Sequence, residues 1–321
     1  MTLTDLLGSA ADPPVLSVDP DETIEGRSPL TLAWARLRRD RVAMISAYFI
    51  VSLIITALAA PLLAKLIGWG SAEQDRLAGR DVNGLPVGPG LHHLLGADEL
   101  GRDVLVRIVY GARVSLEVGV VATVLAVAIG VVVGLVAGYF GGIVDSVLSR
   151  LMDVVLSFPF LLFAIALVSV FRPSLHIAIF VIAFFSWAAV GRIVRGQTLS
   201  LREKEFVEAA RSLGASDTRI MFVDILPNLM APVIVYTTLL IPISIVFEAT
   251  LAYLGLGVPY PTPSWGNMLN EASDGSLYQV AWWYAFFPGL ALLLTTLAFN
   301  LFGDGVRDAL DPRTERLFAS T

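Results

Sequence analysis

The stretch QTLSLREKEFVEAARSLGASDTRIMFVDILPN, from Gln197 to Asn228, is polar and lies between two long apolar runs. Phe206, Ala209, Ala210 and Leu213 fall at i, i+3, i+4 and i+7, so they share one helical face. Gly214 follows, where a helix C-terminus favours a residue free to turn left-handed. Ser216 is placed to cap a second helix with Asp217 in its first turn, and Pro227 is placed to end it. The spacing predicts a helix–turn–helix over 197–228, set between two membrane spans. Its charges are mixed, with Arg202, Lys204, Arg211 and Arg219 against Glu203, Glu205, Glu208, Asp217 and Asp224. A loop that only rested on anionic lipid would be mainly basic. The pattern therefore favours a docking element for a soluble partner over an interfacial amphipathic loop.

A chain of 321 residues that is 56% hydrophobic, with mean hydropathy +0.74, has the composition of a membrane protein. It has no cysteine, which excludes disulfides, thiolate metal sites and cysteine nucleophiles together. Its net charge of −6 argues against nucleic acid as a partner. His92 and His93 are adjacent without i,i+4 spacing, so they read as solvated loop residues and no metal site is expected. Lys65 and Lys204 are the only lysines, and neither follows a Gly-rich phosphate loop, so the chain is not its own P-loop ATPase.

Six apolar runs predict six transmembrane helices: 42–63, 114–136, 151–171, 175–194, 231–254 and 283–302. Residues 1–27 carry acids and prolines with little apolar content and read as a disordered cytoplasmic tail. Ser28-Pro29 is a capping pair for an amphipathic elbow helix whose stripe is Leu30, Ala33, Trp34 and Leu37; this elbow and the first span make up 28–67. An external loop (68–113) follows. Then come a five-helix core (114–302) containing the polar loop, and a cytoplasmic C-terminal tail (303–321). A signal peptide is disfavoured because 41 residues precede the first run. With the N-terminus inside, fifteen of the 22 Lys and Arg residues lie inside, which selects the N-in, C-in orientation.

Four features inside this frame bear on packing or function. Ala122, Ala126, Gly130, Gly134 and Gly138 put small residues every four positions, a ridge for close helix packing. Pro159, Pro242 and Pro288 are expected to bend later spans, and Trp282 and Trp283 to anchor the last one at the interface. Glu248 is the one carboxylate well inside a span. An ionised group at mid-membrane costs about 2.5–3.5 kcal/mol, so it is either a pathway-lining group or a structural partner for a neighbouring helix.

Glu208-Ala209-Ala210, three residues, Gly214 and then Ile225-Leu226-Pro227 resemble the EAA loop of ABC importer permeases, which docks into a groove on the ATPase subunit. The family pattern has an aliphatic residue where Asp224 stands here. Three further stretches extend the resemblance to the C-type permease of the dipeptide/oligopeptide and nickel importers. They are Leu95-Gly96-Ala97-Asp98-Glu99-Leu100-Gly101-Arg102-Asp103 through Arg107, Arg113 and Ser115-Leu116; Leu254-Gly255-Leu256-Gly257 through Pro261 to Gly266; and Phe299 to Gly305 through Asp311-Pro312-Arg313. Ala97 and Val106 replace hydroxyl residues usual at those places.

The resemblance implies a non-catalytic, multi-pass subunit of the bacterial cytoplasmic (inner) membrane, without cofactor. It also implies a companion permease, two ATP-binding ABC ATPase subunits and an extracytoplasmic substrate-binding protein. The coupling loop would transmit ATPase closure, and the substrate would be a di- or oligopeptide, with nickel or glutathione as alternatives. Asp98, Arg102, Asp103, Arg107 and Arg113 are charged in a pattern that allows a salt-bridged external cap; the competing expectation is a solvated loop, since exposed pairs contribute only about 0–1 kcal/mol. An ion-coupled secondary transporter would need paired intramembrane acids, and a membrane enzyme would need a nucleophile or metal cluster; the sequence displays neither.

Overall fold

The computed structural model describes residues 29–75 and 78–311, so the predicted N-terminal tail and Ser28 lie outside the described residues. Helix α1 (Pro29–Leu37) buries Ala33 and Leu37 against Val306 and Ala309 near the chain's other end, while Trp34 is exposed. Asp40 then caps α2 (Arg41–Leu58), accepting from the Val42 and Ala43 amides at 2.8 and 3.1 Å. The first span was expected to run unbroken to 63. Instead it stops at Ala59, and α3 (Ala60–Ile67) starts with Pro61 at its second position. A proline has no N–H to continue a helix and disfavours helical backbone in the residue before it, so the break falls there.

Helix α4 (Val104–Phe140) is longer than expected at both ends; its first turns lie in what the sequence assigned to the external loop. Asp103 sets its start by accepting from the Val106 amide at 3.0 Å. The third span is the pair α5 (Gly142–Ser157) and α6 (Phe160–Phe171), bent by 82° at Phe158-Pro159. Helix α7 (Leu175–Arg202) leads into α8 (Glu205–Ser212) and the single turn α9 (Asp217–Arg219). A π-helical segment (Ile220–Ile225) then feeds α10 (Leu226–Tyr253) without a gap. Helix α11 (Trp265–Ser273), a 3₁₀ turn (Asp274–Gln279) and α12 (Trp282–Leu310) complete the fold. Residues 303–310, assigned from sequence to a tail, are thus the last turns of α12, and Pro312 and Arg313 lie outside the described residues.

Five described helical runs are long and apolar enough to cross a bilayer: α2, α4, α7, Asp217–Tyr253 and α12. The bent α5–α6 pair makes a sixth if it is taken as one span. Pro242 and Pro288 lie inside helices that continue through them, so the sharp bend is at Pro159.

The core is organised on α4 packed along α7. Ala122 and Ala126 are fully buried. A Cβ on Gly130 would fall 2.6 Å from Val190 Cβ, one on Gly134 would fall 2.5 Å from the Gly191 carbonyl, and one on Gly138 would fall 2.6 Å from Thr198 Cβ. Each is closer than carbon and oxygen allow, so the helices approach at this distance because those positions lack side chains. From the other side Met152 of α5 seats its sulfur over Gly191, 2.9 Å from where a Cβ would stand.

Candidate functional site

The polar loop is built as one rigid turn on the end of this core. Helix α8 has eight residues, too short to persist alone in water. It is held by Val207, which is fully buried in the cluster containing Val194, Ile220, Ile225 and Leu229. The helix ends in a Schellman turn: the Ala215 amide donates to the Ala210 carbonyl at 3.1 Å and the Gly214 amide to the Arg211 carbonyl at 3.0 Å. Gly214 takes φ +79°, the left-handed region, with open space where a Cβ would go. Tyr139, at the end of α4, donates its hydroxyl to Asp217 Oδ1 at 2.7 Å and lies under the Arg211 guanidinium. Arg202 donates to the Gly138 and Tyr139 carbonyls at 3.2 and 3.3 Å, a cation on the C-terminus of α4. Motion of the turn is therefore tied to α4 as well as to α7 and α10.

The predicted single face of α8 divides. Ala210 turns partly inward, whereas Phe206, Glu208, Ala209 and Leu213 face out, with Leu213 88% exposed. Sequence periodicity missed Val207, one residue round the helix, which does the anchoring. The second element also differs from the expectation. Ser216 holds the N-cap position, but its hydroxyl makes no capping bond, and Pro227 does not end the run. The π segment absorbs the missing proline N–H, because the hydrogen-bond register is already changing there. At that junction Asn228 donates its side-chain amide to the Asp224 carbonyl at 2.7 Å. Ile225 is buried, Leu226 half-buried and Pro227 exposed; Phe222 and Val223 of the π segment present a second exposed apolar patch.

At the opposite end of α4 the charged residues form a buried cluster. Arg102 Nε donates to Asp98 Oδ2 at 2.5 Å, and its Nη2 to Glu271 Oε2 at 2.8 Å. Arg107 forks over Glu271, donating from Nη1 to Oε2 at 2.7 Å and from Nη2 to Oε1 at 3.0 Å; it also bonds Asp98 and the Tyr284 hydroxyl. Asp98, Arg102 and Arg107 are essentially solvent-free, so the solvated-loop expectation does not hold for them. Burial alone would raise the Glu271 carboxyl, but the hydrogen-bonded Arg107 guanidinium outweighs it and holds the group below its ordinary value. Arg113 is exposed on α4 and is not brought into this cluster.

Asp103 divides its carboxylate between the α4 cap and His93 Nδ1, at 2.9 Å. His93 is buried, with Asp75 Oδ2 3.4 Å from its other nitrogen, which corrects the reading of both histidines as solvated; His92 alone is exposed. Trp283 donates to the Ala97 carbonyl at 3.0 Å, and its ring lies where a Gly96 side chain would be, so it pins the loop rather than resting at an interface. The bilayer-interface position suits Trp282, which is exposed.

Glu248 is fully buried on α10 and accepts from the Ser115 hydroxyl of α4 at 2.7 Å; Ser264, the N-cap of α11, lies beside the same carboxyl. Below it Thr123 and Ser244 are joined at 2.9 Å across the same helix pair. The acid thus links α4, α10 and α11 and is itself solvent-free.

Residues 130–316 match the model of the family described as binding-protein-dependent transport system inner membrane component. Residues 28–77 match the N-terminal TM domain of oligopeptide transport permease C. The chain is 40% identical over 297 residues to the dipeptide transport system permease protein DppC of Alkalihalophilus pseudofirmus, covering 92% of this chain and 94% of that one. It is 45% identical over 296 residues to the glutathione transport system permease protein GsiD of Salmonella paratyphi A, covering 92% and 93%. Among solved structures, the MetNI methionine ABC transporter in an inward-facing conformation shares the fold, with TM-score 0.53 and 18% identity over 64% of this chain and 96% of that one. With an all-helical bundle, membrane-length helices and these matches over nearly its whole length, the chain belongs to the inner-membrane permease components of ABC importers, in the peptide-transport branch.

Proposed function

We propose that this permease couples ATP hydrolysis on partner subunits to peptide import by seating α8 and the adjoining π segment in a groove of an ABC ATPase. The observation that carries this is a contrast within one short helix: Val207 is fully buried and fixes it, while Leu213 beside it is 88% exposed. Phe206 and Ala209 add exposed apolar surface on the same helix, and Phe222 and Val223 a second patch, on a loop otherwise rich in charge. An apolar patch rimmed by charge is the form of a docking surface rather than of a lipid-resting loop. Because Tyr139 and Arg202 tie the turn to α4, displacement of the turn by a closing ATPase dimer tilts α4, α7 and α10 together, a shear of packed helices.

In this reading the chain lies N-in, C-in, forms half of the pathway with a companion permease, and receives substrate from an extracytoplasmic binding protein. Catalysis belongs to two ATPase subunits. The substrate class is a di- or oligopeptide. Glutathione is the second reading, favoured by the relatives at 45% identity. The test is reconstitution of the purified complex with its binding protein, followed by uptake of labelled dipeptide, oligopeptide, glutathione and nickel with and without ATP. ATP-dependent uptake of a peptide supports the assignment. Uptake of none of the four with hydrolysis intact refutes the substrate class, and absence of bound ATPase refutes the docking role.

A further inference from the structure

Helix α5 presents a polar edge that nothing among the described residues covers. Ser146, Arg150, Asp153 and Ser157 recur at i, i+4, i+7 and i+11, one helical face, and all four are exposed. The exposed Ile143, Val147, Leu151 and Val154 lie on a neighbouring apolar face, and Met152 and Val155 on the buried one. From α7, Arg192 reaches across to Asp153 at 2.7 Å, and both side chains remain about half exposed, at 56% and 52%. None of the ion pairs among the described residues involves Arg150.

The depth of this edge decides what can face it. Arg192 lies ten residues, roughly 15 Å, before the end of α7, where Arg202 closes the end of α4. The edge then climbs further, to the Phe158-Pro159 break. Phe160, just past it, packs on Phe185 with ring centroids 5.5 Å apart, near the middle of α7. Phe158 and Pro159 are themselves exposed, so interrupted backbone is uncovered at mid-helix depth. Hydrocarbon tolerates neither: ionised side chains are strongly disfavoured there, and a helix break is found only where protein or water meets it.

We propose that the Ser146–Arg150–Asp153–Ser157 edge of α5, with Arg192 of α7 opposite, lines the water-filled inner half of the substrate pathway up to the Phe158-Pro159 break. The ligand it accommodates is polar and zwitterionic, met by charges of both signs. This rests on the importer reading above and adds the wall of the path to it.

The native chain has no cysteine, so single cysteines report without removing any. In the full complex in inside-out vesicles, Asp153→Cys and Ser157→Cys should react with a charged, impermeant thiol reagent at least tenfold faster than Leu151→Cys and Val154→Cys. The mass shift is read on this chain. Modified Ser157→Cys should lose at least tenfold in uptake while keeping its ATPase subunits. Three results overturn the proposal: labelling of Ser146→Cys without Ser157→Cys, which makes the edge a headgroup-level surface; protection of Asp153→Cys and Ser157→Cys in the complex, which makes it a seam with another subunit; and labelling of Ser157→Cys without inhibition. ATPase retention and coupled uptake of the unmodified variants are measured in parallel, so failure of the importer reading would be seen separately.

Discussion

Removing the Arg107 guanidinium should be the most damaging single change at the end of the bundle away from the coupling loop. Arg107 bonds Asp98, both oxygens of Glu271 and the Tyr284 hydroxyl, and Asp98 is as solvent-free as Arg107 itself. Arg107→Met keeps the stem and deletes the charge, leaving two carboxylates and one guanidinium in a buried space. Breaking a buried ion pair from one side costs about 3–5 kcal/mol, because the remaining charge stays unpaired. That corresponds to roughly a 10²- to 10⁴-fold rise in the unfolding constant, read as equilibrium unfolding of the purified chain in mixed micelles. The double variant Arg107→Met/Glu271→Met should recover much of the loss, since an apolar replacement of both partners is close to neutral. The pH dependence has a defined sign. Glu271 is held below its ordinary value near 4.5, so its contribution is complete above that pH and is lost as pH falls through the lower folded value. The difference between wild type and Glu271→Gln should therefore be constant above about pH 5 and shrink in stronger acid. A loss below about 1 kcal/mol for Arg107→Met would mean that the cluster behaves like exposed surface pairs, and the argument from burial would fail.

Other outcomes follow from the same geometry. Gly134→Leu must push α4 from α7, since even a Cβ would stand 2.5 Å from the Gly191 carbonyl; overpacking of this kind costs about 1–3 kcal/mol and should lower the yield of assembled complex, whereas normal yield and melting would place the ridge elsewhere. Glu248→Gln preserves the acceptor for Ser115, so assembly should be normal and uptake should change by less than tenfold; near-total loss of uptake in an intact complex would make Glu248 a pathway residue. Cysteine at Ser273 should react with an impermeant thiol reagent from outside, and cysteine at Ser216 only after the membrane is opened; the reverse pattern overturns the N-in topology.

Apolar run length was enough to place most spans, because crossing a bilayer imposes a length that no local detail cancels. The small-residue register of Gly130, Gly134 and Gly138 and the left-handed Gly214 were legible for similar reasons: each expresses a steric demand within one helix or one turn. What escaped was non-local. Glu271 lies 164 residues from Arg107, and nothing in its own surroundings marks it as the partner of two arginines. His93 looked like a solvated loop histidine until Asp75 and Asp103 came to either side of it. Around α8, periodicity grouped Phe206, Ala209, Ala210 and Leu213 on one face, yet three of the four face out and the residue that turns fully inward is Val207, adjacent to Phe206 and equally hydrophobic in kind. The π segment was invisible because Pro227 reads as a stop unless the register before it is known to change. The break at Pro159 was expected as a bend, but neither its 82° angle nor the packing of Phe160 on Phe185 and Phe247 just past it is written in the local sequence.

If the Gly214 turn transmits ATPase motion to the membrane helices, one pair of variants at that position shows it directly. Gly214 has φ +79° and open space around it, so a substitution there meets no clash and acts only through backbone conformation. A β-branched residue is disfavoured in that region by about 1–2 kcal/mol, too little to unfold the bundle but enough to re-aim α8, whereas asparagine tolerates it. Gly214→Asn should therefore keep both ATPase subunits and coupled uptake. Gly214→Val should still insert and pair with its companion permease, yet lose the ATPase subunits on purification or hydrolyse ATP without uptake. If Gly214→Val retains bound ATPase and normal ATP-coupled uptake, the turn is not the transmission element.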